Sequence, residues 1–336
     1  MSGPLRHSDH RSNGISRRRQ GRYWQYFDSD GKRITDREEI DRLNAIGLPP
    51  AYRDAWFCPH ANGHIQAVGT DEKGRRQYRY HGDFTARRDK SKYARTADFG
   101  RALVKLRKRV ASDLRKRGLS RDTIAAAIVR LMDNEYLRVG NEGYAKENKS
   151  FGATTLRARH AKVSGSKLRM RFRAKSGVER ELEITDKSLI RIVRQCQDLP
   201  GQHLFQFIGA DGEARPVTSS DVNDYIREAT GEDFTAKHFR TWGASALAFE
   251  AICAAGEEGI GLKTMLAPVA QALGNTPTMA RKAYVHPALI EAVKAGKKLG
   301  GLHCPRATKY LSSGERGLIA FLDKAGRQRN GKSRRK

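Results

Sequence analysis

Cysteine is scarce in this chain, with four among 336 residues, at positions 58, 196, 253 and 304 and without regular spacing. Such scatter fits a reducing compartment better than a disulfide frame. Acidic residues are also under-represented. Asp and Glu number 37 against 65 Lys and Arg, and the resulting formal charge of +28 favours a polyanionic partner over a small neutral substrate. Binding of that kind weakens steeply with salt, because each neutralised phosphate releases counterions. Charge alone does not separate DNA from RNA or an anionic membrane. Long hydrophobic runs are missing as well: no stretch of about 18 apolar residues and no hydrophobic leader is present, so a soluble, cytoplasmic protein is expected. No fixed-period repeat is visible.

The residues present suffice for two domains of an α+β protein: 336 residues exceed the usual size of one core, and 38% are hydrophobic. Residues 1–22 hold Arg6, Arg11, Arg17, Arg18, Arg19 and Arg22 among Gly and Ser, and are expected to form a flexible basic arm. Residues 23–92 look β-rich. The run from Trp24 to Gly31 suggests a strand entering a turn, and that from His64 to Tyr80 a hairpin turning at Asp71 to Gly74. Residues 93–310 change texture to a mainly helical domain. Phe99, Leu103, Leu106, Val110 and Leu114 recur at helical spacing, and Ser120 is a candidate N-cap for a helix through Met132 that delivers Arg138 to a turn. Between residues 168 and 184 the period falls to two. Leu168, Met170 and Phe172 alternate with arginines, and the turn Lys175-Ser-Gly177 puts Lys175 at the tip of a short hairpin. Helices are expected again around Leu189 to Cys196, around Asp221 to Ala229 behind Ser219 and Ser220 as caps, and around Ala236 to Ala254. Pro277 should start a helix through Tyr284, Pro287 should break it, and Ala288 to Lys298 should form one more. Residues 311–336 are expected to be a basic tail.

Five residues form a chemically connected set. Tyr284 offers a phenol, a weak nucleophile at its ordinary pKa of about 10 that an electropositive pocket would activate. Arg138 and Arg240 offer permanent charge and a planar donor fork for the nonbridging oxygens of a phosphoryl transition state. Lys175 offers a mobile general acid, and Asn275 a neutral amide donor. Each has an ordinary reading too: a packed tyrosine, solvated cations, a turn-forming Asn. Cys58-Pro-His60 with His64 lacks a fourth metal ligand, and Asp221 with Asp224 fits helix capping as well as a nuclease site.

In order, Arg138, the hairpin Lys175, Lys237-His-Phe-Arg240, and Gly274-Asn275 nine residues before Tyr284 resemble a type IB DNA topoisomerase of the small bacterial and poxvirus kind. The resemblance covers about residues 20 to 300 and includes Tyr136-Leu-Arg-Val-Gly140 with Tyr144, and Gly74-Arg-Arg-Gln-Tyr-Arg-Tyr80. It implies that Tyr284 attacks DNA to form a 3′-phosphotyrosyl link, that Arg138 and Arg240 stabilise the transition state, and that Lys175 protonates the leaving 5′-oxygen. Supercoiled duplex DNA would be relaxed by strand rotation and religation, with no nucleotide cofactor and no essential metal. The resemblance further implies a clamp made of a small β-rich domain and a larger helical catalytic domain, acting as a monomer on chromosomal DNA in a bacterial nucleoid. It assigns Gln77, Tyr78, Tyr80 and Tyr144 to DNA contact, and Arg75 and Arg76 are candidates for phosphate contact. A tyrosine recombinase is the nearest alternative, but such enzymes usually carry His where Lys237 stands here. A noncatalytic basic DNA-binding module would leave the ordered set of five unexplained.

Many relatives have His at the position of Asn275. An amide makes the same hydrogen bond without carrying a charge, so Asn275→His should keep appreciable plasmid-relaxing activity. Near-total loss with folding and DNA binding intact would exclude a hydrogen-bonding role.

Overall fold

The computed structural model describes residues 4–296 and 305–333. Internal contacts divide the chain into two units at Ala94/Arg95.

The first unit is built on a five-stranded antiparallel sheet ordered β2-β1-β3-β4-β5, from β1 (Ile15–Gln20), β2 (Tyr23–Phe27), β3 (Arg53–Phe57), β4 (Ile65–Thr70) and β5 (Arg76–Tyr80). Helix α1 (Arg37–Ala45), capped by Asp36, lies between β2 and β3 in the chain, and α2 (Gly82–Ala94) follows β5. The unit has its own small core of Ile15, Tyr26, Leu43, Leu48, Phe57 and Ala67.

Ile15 lies in the strand that the arginine-rich composition disguises. The flexible arm expected over residues 1–22 is therefore corrected. Arg6 bridges to Gly63, the Ser8 hydroxyl donates to the Ile65 carbonyl and accepts from its N–H, and β1 pairs with both β2 and β3. Arg17 does not repel this arrangement. Its guanidinium lies 4.1 Å from the Trp24 ring centroid and donates to the carbonyls of Leu48 and Pro49, so a cation becomes packing material. Residues 1–3 lie outside the described residues.

The second unit is mainly helical. Helix α3 (Thr96–Asp113) is followed by α4 (Arg121–Glu135), which Ser120 caps by accepting from the Thr123 N–H, and by the short α5 (Glu142–Asn148). A three-stranded antiparallel sheet comes next, ordered β6-β7-β8, from β6 (Ala161–Ser164), β7 (Lys167–Arg173) and β8 (Glu179–Ile184). The expected hairpin is β7–β8. Strict alternation buries Leu168, Met170 and Phe172 while the Lys and Arg between them stay exposed. Then come α6 (Lys187–Gln197), the small pair β9 (Gln206–Ile208) and β10 (Ala214–Pro216), α7 (Ser219–Thr230), α8 (Ala236–Ala255), α9 (Leu262–Leu273), α10 (Pro277–Ala283) and α11 (Pro287–Lys294).

Three local expectations change. The cap of α7 is Thr218 rather than Ser219 or Ser220, because Thr218 and Asp221 bond reciprocally, each accepting from the other's backbone N–H. Pro287 begins α11 at its first turn rather than breaking the preceding helix, which has already closed at Ala283 with Tyr284 as its C-cap. Helix α11 closes at Lys294, and residues 297 and 298 of the expected span lie outside the described residues.

The basic tail expected over 311–336 is also corrected, since Ser313–Ser333 form α12. Leu318 and Leu322 are buried in the main core of the second unit, and Glu315 is 8% exposed. Residues 334–336 lie outside the described residues. Glu315 makes the decisive contacts: its carboxylate accepts from Arg107 on α3 and from the Trp242 indole on α8, and Arg107 also pairs with Asp133 on α4. Helix α8 is apolar almost all round and lies inside this unit, with Phe239, Trp242, Ala244, Ser245, Ala248 and Phe249 buried. Gly100 on α3 admits the Trp242 ring, because a Cβ there would fall 2.2 Å from a ring carbon. Among the described residues no helix is long and apolar enough to cross a membrane.

Burial alone would raise the Glu315 carboxyl pKa, but bonds and charge from Arg107 and the Trp242 bond hold it below the usual range. A lowered carboxylate stabilises the fold above its unfolded pKa, and that contribution is lost as pH falls through the folded value. Glu315→Gln should therefore cost roughly 1.5–3 kcal/mol at neutral pH. In urea unfolding its deficit against wild type should shrink as the pH falls below about 4.

Candidate active site

The geometry starts at the end of α4. Tyr136 caps this helix in the left-handed conformation (φ 54°, ψ 31°) and turns the chain into the segment that carries Arg138. Its ring fits against Gly243 of α8, where a Cβ would lie 2.3 Å from a ring carbon. The Arg138 backbone is clamped as well: its carbonyl accepts from Ala153 N–H at 2.8 Å, and the Val139 carbonyl from Thr154 N–H at 2.7 Å. Gly152 makes this possible by close approach, since a Cβ there would sit 2.6 Å from the Gly140 backbone.

From this base the Arg138 guanidinium reaches two residues distant in sequence. Its Nη2 donates to Asn275 Oδ1 at 3.2 Å and to the Tyr284 phenol oxygen at 3.4 Å. Asn275 follows Gly274, which ends α9 in the left-handed conformation, and Thr276 then caps α10 by accepting from Met279 N–H. Tyr284 is the C-cap of α10, and its backbone N–H donates to Ala280.

Arg240 enters from α8 with 5% exposure. Its Nη1 donates to the Tyr136 carbonyl and its Nη2 to the Leu273 carbonyl at 3.1 Å, so it sits on the negative C-terminal ends of α4 and α9. Its guanidinium carbon lies 4.8 Å from the Tyr284 ring centroid. Burial and the like charge of Arg138 lower Arg240 to about 10, which leaves it protonated at neutral pH.

Two buried donors here, Arg240 Nε and Asn275 Nδ2, have no hydrogen-bond partner among the described residues. Unsatisfied buried donors are costly and call for an acceptor. With the Arg138 fork they suit an anionic oxygen-rich group such as a phosphate. Burial tends to raise the Tyr284 phenol pKa, but the charges of Arg240 and Arg138 and their bonds to it outweigh burial and leave it below its ordinary value.

Lys175 is placed nearby but not in this network. It is exposed on the turn between β7 and β8 and lines the same cleft as Arg138, Arg240 and Gly274, while its ammonium makes no hydrogen bond or ion pair to a described residue. Arg180 lines that cleft too and was not singled out from the sequence. Ser245 is the other omission: its hydroxyl accepts from His286 N–H at 3.0 Å and donates to Thr241, which ties the turn after Tyr284 to the helix bearing Arg240. One Arg among many and one helical Ser carry no sequence signal. His238, beside Lys237, is not in the site: it stacks against Phe99, accepts from Thr235 N–H, and has its pKa lowered by burial.

The sequence-assigned residues of the first unit lie on β5 and the turn that leads into it. Tyr78 and Tyr80 share one face of β5, 37% and 39% exposed, with ring centroids 6.0 Å apart, and Phe84 continues the stack beyond Tyr80. Across the strand pair Tyr78 faces Val68 and Tyr80 faces Ile65, both buried, so the rings flank apolar residues while remaining exposed themselves. Arg75 is ion-paired to Asp71, and Gln77 donates to the same carboxylate, which the Arg75 bond chiefly holds at about 2. Both side chains are thus engaged in shaping the hairpin. Arg76 is exposed and reaches His10, and Tyr144 is half-buried on α5 with its N–H bonded to Asn141. His64 of the weak metal pattern bonds to Ser8, and no metal-holding group of three or more such side chains occurs among the described residues. No disulfide joins Cys58, Cys196 and Cys253, and Cys304 lies outside the described residues.

Residues 81–295 match the family model of the eukaryotic DNA topoisomerase I catalytic core, and residues 23–71 that of the bacterial DNA topoisomerase IB N-terminal domain. The chain is 33% identical over 247 residues to DNA topoisomerase 1B of Acanthamoeba polyphaga mimivirus, covering 72% of this chain and 74% of that protein. It is 24% identical over 209 residues to DNA topoisomerase 1 of Mycosarcoma maydis, covering 57% of this chain and 20% of that much longer relative. A solved structure of the XerH site-specific recombinase on a palindromic difH substrate, in a post-cleavage complex, is 15% identical with a TM-score of 0.36. That match covers 57% of this chain and 51% of the other.

Because two guanidinium charges together outweigh burial at Tyr284, removing one should raise the phenol pKa. In ultraviolet difference titrations, the component lost in Tyr284→Phe should ionise below the ordinary tyrosine value of about 10. In Arg240→Gln the corresponding component should move upward. An unmoved component would show that Arg240 does not tune the phenol.

Proposed function

The chain belongs to the type IB DNA topoisomerases, and from that membership we propose that it relaxes supercoiled duplex DNA without ATP through a covalent bond to Tyr284. The Tyr284 oxygen attacks a backbone phosphorus, forming a 3′-phosphotyrosyl ester as the bond to the 5′-oxygen breaks. Lys175 Nζ gives its proton to that leaving oxygen. The freed strand rotates about its intact partner, and the 5′-hydroxyl attacks the ester to restore the DNA and release Tyr284.

One observation carries this reading: the Arg138 fork meets both Asn275 and Tyr284, from positions 137 and 146 residues apart. A noncatalytic DNA-binding surface has no use for one buried and one half-buried guanidinium converging on one phenol. The same cations that lower the phenol pKa are positioned to take charge building on the nonbridging oxygens, and Arg240 Nε and Asn275 Nδ2 supply further donors. The ester conserves the energy of the broken phosphodiester, so this chemistry demands neither nucleotide nor metal. One chain supplies all five groups, which suits a monomer. In the first unit Tyr78 and Tyr80 offer exposed rings to a groove wall, and Arg76 a cation to phosphate. Gln77 and Arg75 would contact DNA only after exchanging bonds with Asp71.

Wild type and Tyr284→Phe, compared in ATP-free plasmid relaxation with chelator present, should separate completely. The variant should bind DNA yet give neither relaxed topoisomers nor DNA-linked protein after denaturation. Equal relaxation by the variant would remove Tyr284 as the nucleophile.

A further inference from the structure

Each of three chain segments carries one member of the proposed site, and a single side chain from one of them bonds to the other two. Arg180 belongs to β8, paired with Phe172 of β7 across the hairpin that ends in Lys175. Its Nη2 donates to the Glu135 carbonyl at 3.2 Å, in the last turn of α4 and three residues before Arg138. Its Nη1 reaches the Gln271 carbonyl at 3.5 Å, in the last turn of α9 and four residues before Asn275. Gly274 leaves room for this approach, because a Cβ there would lie 3.2 Å from Arg180 Nη1.

The turn that holds Lys175 has little else to fix it in space. Within the hairpin, Ala174 N–H donates to Val178 and Gly177 N–H to Ala174, and Ser176 and Gly177 both take positive φ. These bonds shape the tip but do not orient it toward Arg138 or Asn275. The Phe151 N–H bond to the Arg173 carbonyl holds β7, and Arg180 makes the corresponding link from β8. A planar guanidinium is suited to such a link, since its fork bonds two carbonyls at once where an ammonium is a point charge. Holding it there is costly: burial and the nearby Arg138 lower the Arg180 pKa, with the Glu135 carboxylate opposing them. A half-buried cation kept beside a like charge needs a compensating role.

We propose that Arg180 is a positioning residue, which holds the β7–β8 hairpin against the ends of α4 and α9 so that Lys175 delivers its proton to the leaving 5′-oxygen. This rests on the reading of Lys175 as the general acid. Misplacing a reacting group by about 1 Å costs on the order of 100-fold in rate.

Replacing the 5′-bridging oxygen of the scissile phosphate with sulfur distinguishes this role from others. A thiolate leaves without a proton, because thiols ionise near pH 8.5 and alcohols do not. The experiment measures single-turnover cleavage of both duplexes by wild type, Arg180→Gln and Lys175→Ala, with thermal unfolding of each protein. Arg180→Gln should cleave the oxygen substrate about 10- to 100-fold more slowly yet come within a few-fold of wild type on the sulfur substrate, as Lys175→Ala should. Equal loss on both substrates at unchanged melting temperature would overturn the proposal and place Arg180 on the phosphate itself. No loss on either would overturn it too. Should Lys175→Ala itself go unrescued by sulfur, the general-acid assignment falls and the positioning role with it, whereas rescue of Lys175→Ala alone removes only Arg180. If Arg180→Gln does not fold, Arg180→Lys, which keeps the charge without the fork, should show the same selectivity at smaller size.

Discussion

A buried guanidinium must find oxygen acceptors or lose its place in the fold, and Arg240 finds them where two helices end. Helices α4 and α9 each leave carbonyls unpaired at their C-termini, and Arg240 takes one from each, at Tyr136 and Leu273. The exchange satisfies both parties and brings the segments just beyond those helices side by side. Arg138 comes two residues after Tyr136 and Asn275 two after Leu273, so the bond that buries one cation also sets the spacing of the next two groups. Tyr284 then closes the site, lying between Arg240 and Arg138.

Such an arrangement concentrates positive charge, and the surrounding structure compensates for it. Helix α8 is restrained on two sides: Arg240 by helix ends, and Trp242 by Glu315, itself paired with Arg107. The last described helix, α12, thereby belongs to the framework that orients the site. The Ser245 bond to the His286 N–H extends the same framework to the turn after Tyr284. Arg240 is matched by two backbone carbonyls, and Arg180 beside it by two more. The phosphate that the proposed function calls for would relieve the repulsion between Arg138 and Arg240.

Elements with strong periodicity were readable from sequence. The alternation of Leu168, Met170 and Phe172 with arginines specified β7, and Ser120 specified the start of α4. Composition misled at both ends of the chain. The run containing Arg17, Arg18 and Arg19 looks like a solvated arm, yet Ile15 is buried and Arg17 packs on Trp24. The basic segment after residue 311 conceals a short apolar stripe through Leu318 and Leu322 that only a partner surface makes significant. Arg75 illustrates a related failure, because the Asp that engages it is a turn residue whose side-chain direction is not written in the spacing.

By itself the sequence determined the chemical groups and their order: a phenol, two guanidiniums, a hairpin lysine and an amide, in a context that resembles one enzyme family. It also determined the local elements that carry them, because strand and helix periods depend on neighbours two to four residues away. The tertiary structure decided which cations converge. Arg180 and Arg240 are two among many arginines until the carbonyls of Glu135, Tyr136, Gln271 and Leu273 are brought to them. Those acceptors are backbone atoms, identical in every residue, and only folding makes them specific.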